Sequence, residues 1–158
     1  MAELFGQSEV TCVLTAEAAG NIIAYELARR LDARALYAKK GRATTMVDPI
    51  VRTVASPTKG VATELAISHE YMASTERVLI VDDFLYRGTT SVALAEMVAE
   101  AGATLVGFGF VIEKLFAFGR SALEPYGVPV EALVSIVSLD PTTGEIAFGQ
   151  DQHCREGT

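Results

Sequence analysis

The amino-acid sequence predicts an α/β fold: a mainly parallel sheet with helices on both faces and an inserted β-rich arm. Three observations lead there. Aliphatic runs of strand length recur and alternate with stretches of helical period, the pattern of a parallel sheet built through crossover helices. One run, Val78-Leu79-Ile80-Val81, is apolar throughout, as a strand buried on both faces must be. Half of the 158 residues are hydrophobic, enough for one sizeable core, so residues 1–158 are expected to form a single domain.

Each element has its own signal. Val10 to Thr15 is an apolar run and the expected first strand. Ala19 to Leu31 is expected as a helix with its apolar face at Ile22, Ile23, Leu27 and Leu31. Ala35 to Ala38 is a second strand. Thr44 to Val54 and Val61 to Ser68 are β-rich arms joined by the turn signal Ser56-Pro57-Thr58-Lys59-Gly60. Arg77 to Val81 is the third strand, followed by a helix from Ser91 to Ala101 that Gly102 stops. Thr104 to Ile112 is a fourth strand, Leu115 to Tyr126 a helix and Leu133 to Ser138 a fifth strand. The turn Asp140 to Gly144 leads to a last short strand, Glu145 to Phe148.

Composition removes several classes of function. The net charge of −7 argues against nucleic acid as a partner. The longest apolar runs are too short to span a bilayer, and Met1 to Phe5 lack the basic and apolar regions of a signal peptide. Cys12 and Cys154 are far apart with no C-x-x-C, which fits free thiols and a reducing cytosol. His69 is expected in a surface turn and His153 in a polar tail.

The chemistry concentrates in Val78 to Thr90. Asp82 and Asp83 follow the buried run, and the loop Tyr86-Arg87-Gly88-Thr89-Thr90 leads into the next helix. In open α/β sheets, ligands bind beyond the carboxyl ends of the strands. Backbone N–H groups at a glycine-containing loop and a helix N-terminus suit a phosphate. Two adjacent carboxylates suit ribose hydroxyls or a hydrated Mg²⁺. A nucleotide-hydrolysing P-loop is excluded because G-x-x-x-x-G-K-[ST] is absent. A phospho-receiver is excluded because its acid pair belongs near the start of the domain.

Val78 to Thr90 resembles the phosphoribosyl pyrophosphate motif of the type I phosphoribosyltransferases, departing at Tyr86, Arg87 and Thr89, where Ala, Thr and Gly are commonest. Further segments are similar to the xanthine branch of that family: Ala38-Lys39-Lys40, Val81-Asp82-Asp83-Phe84-Leu85, and Glu113-Lys114 with Phe116 and the later Gly119-Arg120. The resemblance runs from Val10 to Phe148. It implies purine salvage: a 6-oxopurine (xanthine, guanine or hypoxanthine) is joined to phosphoribosyl pyrophosphate, with Mg²⁺, in a cytosolic homodimer. A non-catalytic sensor of phosphoribosyl pyrophosphate or nucleotides is the alternative that the same fold allows.

The resemblance implies a role for each site residue. Asp82 and Asp83 are the catalytic pair, and Tyr86 to Thr90 hold the 5′-phosphate. Glu17, Ala18, Ala19 and Gly20, with Lys39 and Lys40, contact pyrophosphate. Ser56, Thr58 and Lys59 lie at the tip of a closing arm spanning residues 43–68. Lys114 and Phe116 meet the base. Five of the thirteen basic residues, Lys39, Lys40, Arg42, Arg52 and Lys59, fall between positions 39 and 59, which suits a polyanion. A lysine at position 114 can donate to a 6-oxo group, whereas a 6-amino group offers only donors. Core packing is expected for at least one of Phe116 and Phe118. Because only Met1 to Glu9 precede the first strand, a reduced hood over the base and relaxed base selectivity are also expected.

Overall fold

The computed structural model describes residues 1–55 and 62–149. In chain order the elements are α1 (Ala2–Phe5), β1 (Cys12–Ala16), α2 (Gly20–Leu31), β2 (Arg34–Lys40), β3 (Pro49–Ala55), β4 (Ala62–Ser68), β5 (Arg77–Leu85), α3 (Thr89–Glu100), β6 (Thr104–Lys114), β7 (Val130–Leu139) and β8 (Ile146–Phe148). The strands form one sheet in the order β3-β4-β2-β1-β5-β6-β7-β8. The centre, β2 to β7, is parallel. The β3–β4 hairpin extends one edge antiparallel through Lys39 and Lys40 of β2, and β8 closes the other edge antiparallel to β7.

Both faces of the central strands are buried, and alternation along each strand divides the core in two. Leu14, Ile80, Phe108 and Phe110 pack with Leu94, Met97 and Val98 of α3 and with Ile50, Leu65 and Ile67 of the hairpin. Val13, Leu79 and Val81 pack with Ala24, Leu27 and Ala28 of α2. The chain steps from β1 to β2 in one direction and from β5 to β6 in the other. Right-handed crossovers both ways put α2 and α3 on opposite faces. Among the described residues, no helix is long and apolar enough to cross a membrane. Cys12 is a free, buried thiol, and its burial pushes its pKa up to about 11.

The structure corrects several expectations. Strand β5 does not end at Val81. It continues through the two aspartates because β6 runs beside it, Asp82 against Phe110 and Leu85 against Glu113. Helix α2 buries Gly20, Ala24 and Ala28 at four-residue spacing, together with Leu27. This small-residue stripe lets the helix lie close to the sheet, and Ile22 is left 76% exposed rather than on the buried face. Leu115 to Tyr126 is not an α-helix. It is three 3-10 turns, Leu115–Ala117, Arg120–Ala122 and Glu124–Tyr126, the first closed by Phe118 and the last by Gly127, both in left-handed conformation. Neither Phe116 nor Phe118 packs in the core; both are exposed, and Leu123 is the segment's fully buried residue. His69 does lie exposed, in the short turn His69–Tyr71.

The N-terminal helix was not anticipated, yet it completes the core. Phe5 is 1% exposed within the α2-side cluster, and its ring stands where a side chain at Gly107 would be. Phe5→Ala is expected to cost about 3–5 kcal/mol, because the sheet cannot collapse into the void. Urea denaturation checks this: the midpoint should fall at unchanged slope. An unchanged midpoint would show that α1 is not part of the cooperative unit.

Candidate active site

Strands β1 and β5 pair only over Cys12–Leu14 against Val78–Ile80. Beyond that, β1 ends at Ala16 and β5 runs on to Leu85 with a partner only in β6. The sheet order reverses here, which is where open α/β sheets form their ligand crevices. The parting strands open a cavity of about 520 Å³. One wall is the turn Ala16–Ala19 and the other is Asp82–Phe84 with Tyr86–Ser91. Lys40 and the hairpin residues Val54, Ala55, Thr63 and Leu65 close the side.

The turn after β1 is held to β2 by two bonds. The Glu17 N–H donates to the Ala38 carbonyl at 3.1 Å, and the Lys40 N–H donates to Glu17 Oε1 at 2.8 Å. The Glu17–Ala18 peptide is cis. Gly20 begins α2 beneath this turn. A Cβ there would stand 2.0 Å from Thr15 Oγ1 and 3.0 Å from Asp82 Oδ1, so only glycine lets the helix end approach the carboxylate.

Asp82 is the electrostatic centre of the cleft. Burial pushes its pKa up to about 7, and the neighbouring Asp83 carboxylate adds to the rise. The Asp83 N–H, donated to Asp82 Oδ1 at 2.9 Å, and the Lys40 charge oppose it. Such a pair calls for a cationic partner or donor hydroxyls. Beside it, Gly88 turns left-handed and caps α3 with no side chain bonded to the helix end. The first amides of α3 therefore face the cleft at Thr89, Thr90 and Ser91 without a side-chain cap, an arrangement suited to an anion.

The Tyr86–Gly88 loop is buttressed from behind. A Cβ on Gly119 would lie 2.3 Å from the Tyr86 carbonyl oxygen. The next residue, Arg120, clamps the nearly inaccessible Glu113 carboxylate with two bonds, at 3.0 and 2.6 Å, and donates to the Val130 carbonyl at 2.6 Å. The Glu113 and Gly119-Arg120 pieces of the sequence pattern are thus one structural unit that seats the loop.

Most of the expected site residues meet in this cleft. Glu17, Ala18, Ala19, Lys40, Asp82, Asp83 and Tyr86 to Thr90 line it, with Gly20 packed below. Lys39 is outside the lining, as are Lys114 and Phe116. The Lys114 ammonium instead lies over the Phe84 ring. Arg52, counted with the basic segment, is held by Glu96 and Glu100 of α3 at 2.9 and 2.6 Å, and Arg42 sits 3.8 Å from Glu64. Ser56, Thr58 and Lys59 lie outside the described residues. Phe84 and Thr63 line the cleft and were not singled out. An aromatic directly after two acids was the available signal for Phe84, whereas nothing local marks Thr63. Among the described residues, no three His, Cys, Asp or Glu side chains gather as a metal cage.

An acid pair beside an uncapped helix end, at the reversal of a mainly parallel sheet, is the arrangement of a phosphoribosyl-transfer fold. Residues 1–130 match the phosphoribosyl transferase domain, and the chain belongs to that family. It is 43% identical to a xanthine phosphoribosyltransferase of Deinococcus deserti over 140 residues, 88% of this chain and 72% of that one. It is 42% identical to a xanthine phosphoribosyltransferase of Brevibacillus brevis over 141 residues, 89% and 72% of the two chains. Among solved structures, adenine phosphoribosyltransferase from Rhodothermus marinus superposes with a TM-score of 0.76 at 28% identity, covering 84% of this chain and 73% of that one. The Saccharomyces cerevisiae adenine enzyme gives 0.71 at 25% identity, with 82% and 70% covered.

The raised pKa of Asp82 has a sign that can be measured. A carboxyl that holds its proton more tightly when folded adds stability that is full below its ordinary value of 3.8 and is lost as pH rises through about 7. Asp82→Asn removes this half-buried charge. Its thermal midpoint should exceed that of the wild type by a margin growing from pH 5 to pH 8. After discounting for partial exposure the gain is about 1–2 kcal/mol, or roughly 3–6 °C. A difference that does not vary with pH would place the ionisation of Asp82 in water.

Proposed function

We propose that this chain is a purine phosphoribosyltransferase acting on 6-oxopurines, xanthine first, with the cleft between β1 and β5 as its active site. One observation carries the residue assignment: two carboxylates, one of them half-buried and raised in pKa, share a single cavity with the uncapped N-terminus of α3. The family and the relatives named xanthine phosphoribosyltransferase support the reaction class.

In this reading the amides of Gly88 to Ser91, with the Thr89 and Thr90 hydroxyls and Arg87, hold the 5′-phosphate. Asp82 and Asp83 accept from the ribose hydroxyls. As the bond between the ribose C1 and the pyrophosphate oxygen breaks, its electron pair leaves with pyrophosphate and positive charge grows on the sugar. The acids stabilise that charge more than they stabilise the ground state. The turn Glu17–Ala19 and Lys40 receive the departing pyrophosphate, and a purine nitrogen forms the new bond to C1 and gives up its proton, which leaves with the pyrophosphate. The arm around Ser56, Thr58 and Lys59 excludes water, which would otherwise hydrolyse the activated sugar. Lys39 adds to the positive field, and Lys114, with Phe116 nearby in sequence, faces the base.

Two carboxylates with no third ligand among the described residues suit Mg²⁺, which keeps waters and takes substrate oxygens. Asp82 and Asp83 would hold it mainly through phosphoribosyl pyrophosphate, and it would neutralise pyrophosphate charge. The same reading carries a cytosolic homodimer, which light scattering on the purified protein checks for assembly.

Asp82→Asn and Asp83→Asn should each lower kcat by about 10²-fold or more while the fold is kept. Nucleotide formation from radiolabelled xanthine measures this, and full turnover in the double variant would exclude the acids from catalysis. Lys114→Leu should lower kcat/KM for xanthine and guanine by about 10–100-fold, the worth of one charged hydrogen bond of roughly 1.5–3 kcal/mol. Unchanged 6-oxopurine kinetics would place Lys114 away from the base.

A further inference from the structure

Four side chains at the carboxyl ends of β5 and β6 form an alternating stack of cations and rings. The Lys114 ammonium lies 4.8 Å from the centre of the Phe84 ring and 5.7 Å from that of Tyr86. The Arg87 guanidinium carbon lies 5.5 Å from the Tyr86 centre. Tyr86 therefore meets two cations, one of which, Arg87, lines the phosphate end of the cleft. The nearest carboxylate in sequence to Lys114, Glu113, is taken by Arg120. The ring faces are what the structure provides to fix the lysine, whose four-carbon stem is otherwise free to turn.

Holding the 5′-phosphate explains the backbone of this loop but not an aromatic at position 86. Backbone donors cradle a phosphate whatever the side chain is. A phenol ring 39% exposed, set beside Phe84 with an ammonium against both, has a further use. We propose that Tyr86 is a specificity-determining positioning residue. Resting on the reading of this cleft as a 6-oxopurine transfer site, its π face and that of Phe84 hold the Lys114 ammonium where it discriminates a 6-oxo acceptor from a 6-amino donor. A donor fixed in advance rejects the wrong partner more strongly than one that can swing away.

The test compares Tyr86→Leu, which keeps bulk without a π face, with Tyr86→Phe, which keeps the face without the hydroxyl. Both are assayed with xanthine, hypoxanthine and adenine, and with phosphoribosyl pyrophosphate as the varied substrate. Tyr86→Leu should raise KM for the 6-oxopurines by about three- to tenfold, the range of an exposed to partly desolvated cation–π contact. The ratio of 6-oxopurine to adenine kcat/KM should narrow by the same factor. KM for phosphoribosyl pyrophosphate should move less than KM for the base, and Tyr86→Phe should recover the base ratio. Arg87→Ala should do the opposite, raising KM for phosphoribosyl pyrophosphate more than KM for the base.

An unchanged base ratio in Tyr86→Leu overturns the proposal, as do equal shifts in both KM values, which would mean that Tyr86 only shapes the loop. A Tyr86→Phe variant that behaves like Tyr86→Leu assigns the effect to the hydroxyl and overturns it too. If the leucine variant does not fold, Tyr86→Met carries the same comparison. A wild-type protein that makes no nucleotide from any purine overturns the functional reading and this proposal together. An active wild type with an unaltered ratio in the variant overturns this proposal alone.

Discussion

The site depends on one close approach, that of the first residue of α2 to the end of β5. Gly20 lies so near Thr15 and Asp82 that a single added carbon would collide with the first and press on the second. The order of the sheet reverses between the parallel strands β1 and β5, and the helix that follows β1 packs against both of them on its way to β2. With a side chain at position 20 the helix would ride higher, and the turn at Glu17–Ala19 would move away from the acids. With glycine, the turn, the carboxylates and the start of α3 share one cavity.

That closeness also creates the chemistry. Asp82 is half-buried beside Gly20, and loss of solvent there is the main reason its carboxyl resists ionising near neutral pH. A group that the folded chain leaves poorly solvated gains most when hydroxyls, a cation or a developing positive charge arrive. The apoprotein carries this cost as lost stability, the usual trade at a functional site. Stability is supplied elsewhere: by the two buried faces of the sheet, by Phe5 set over β6, and by the Glu113–Arg120 clamp.

The loop after the acids is backed by contacts from a distant part of the chain. Gly119 presses on the Tyr86 backbone, and Arg120 anchors that segment to Glu113 and Val130. Arg52 ties the hairpin to α3 through Glu96 and Glu100, so part of the basic segment serves architecture rather than ligand binding. Charged residues close together in sequence thus split between two tasks. Lys40 reaches the cleft, while Arg52 in the next strand holds the wall in place.

The sequence by itself determined the fold class, because buried strands need unbroken aliphatic runs and crossover helices need a 3.6-residue period. It also marked the acids and the loop, whose chemistry is local and lies within Asp82–Thr90, although the helix that follows begins at Thr89 rather than the expected Ser91. What only the tertiary structure decided rests on partners far apart in the chain. Strand β5 runs past Asp82 because β6 offers it hydrogen bonds there, a partner invisible in the run itself. Residues 115–126 have enough apolar residues for a helix, but Phe118 and Gly127 in left-handed conformation and the Arg120 clamp hold them in turns. Ile22 faces outward because Gly20, Ala24 and Ala28 let α2 pack on its small side. Lys114 lies over Phe84, and Arg52 on α3, because side-chain electrostatics act through space, where sequence distance of thirty or more residues counts for nothing.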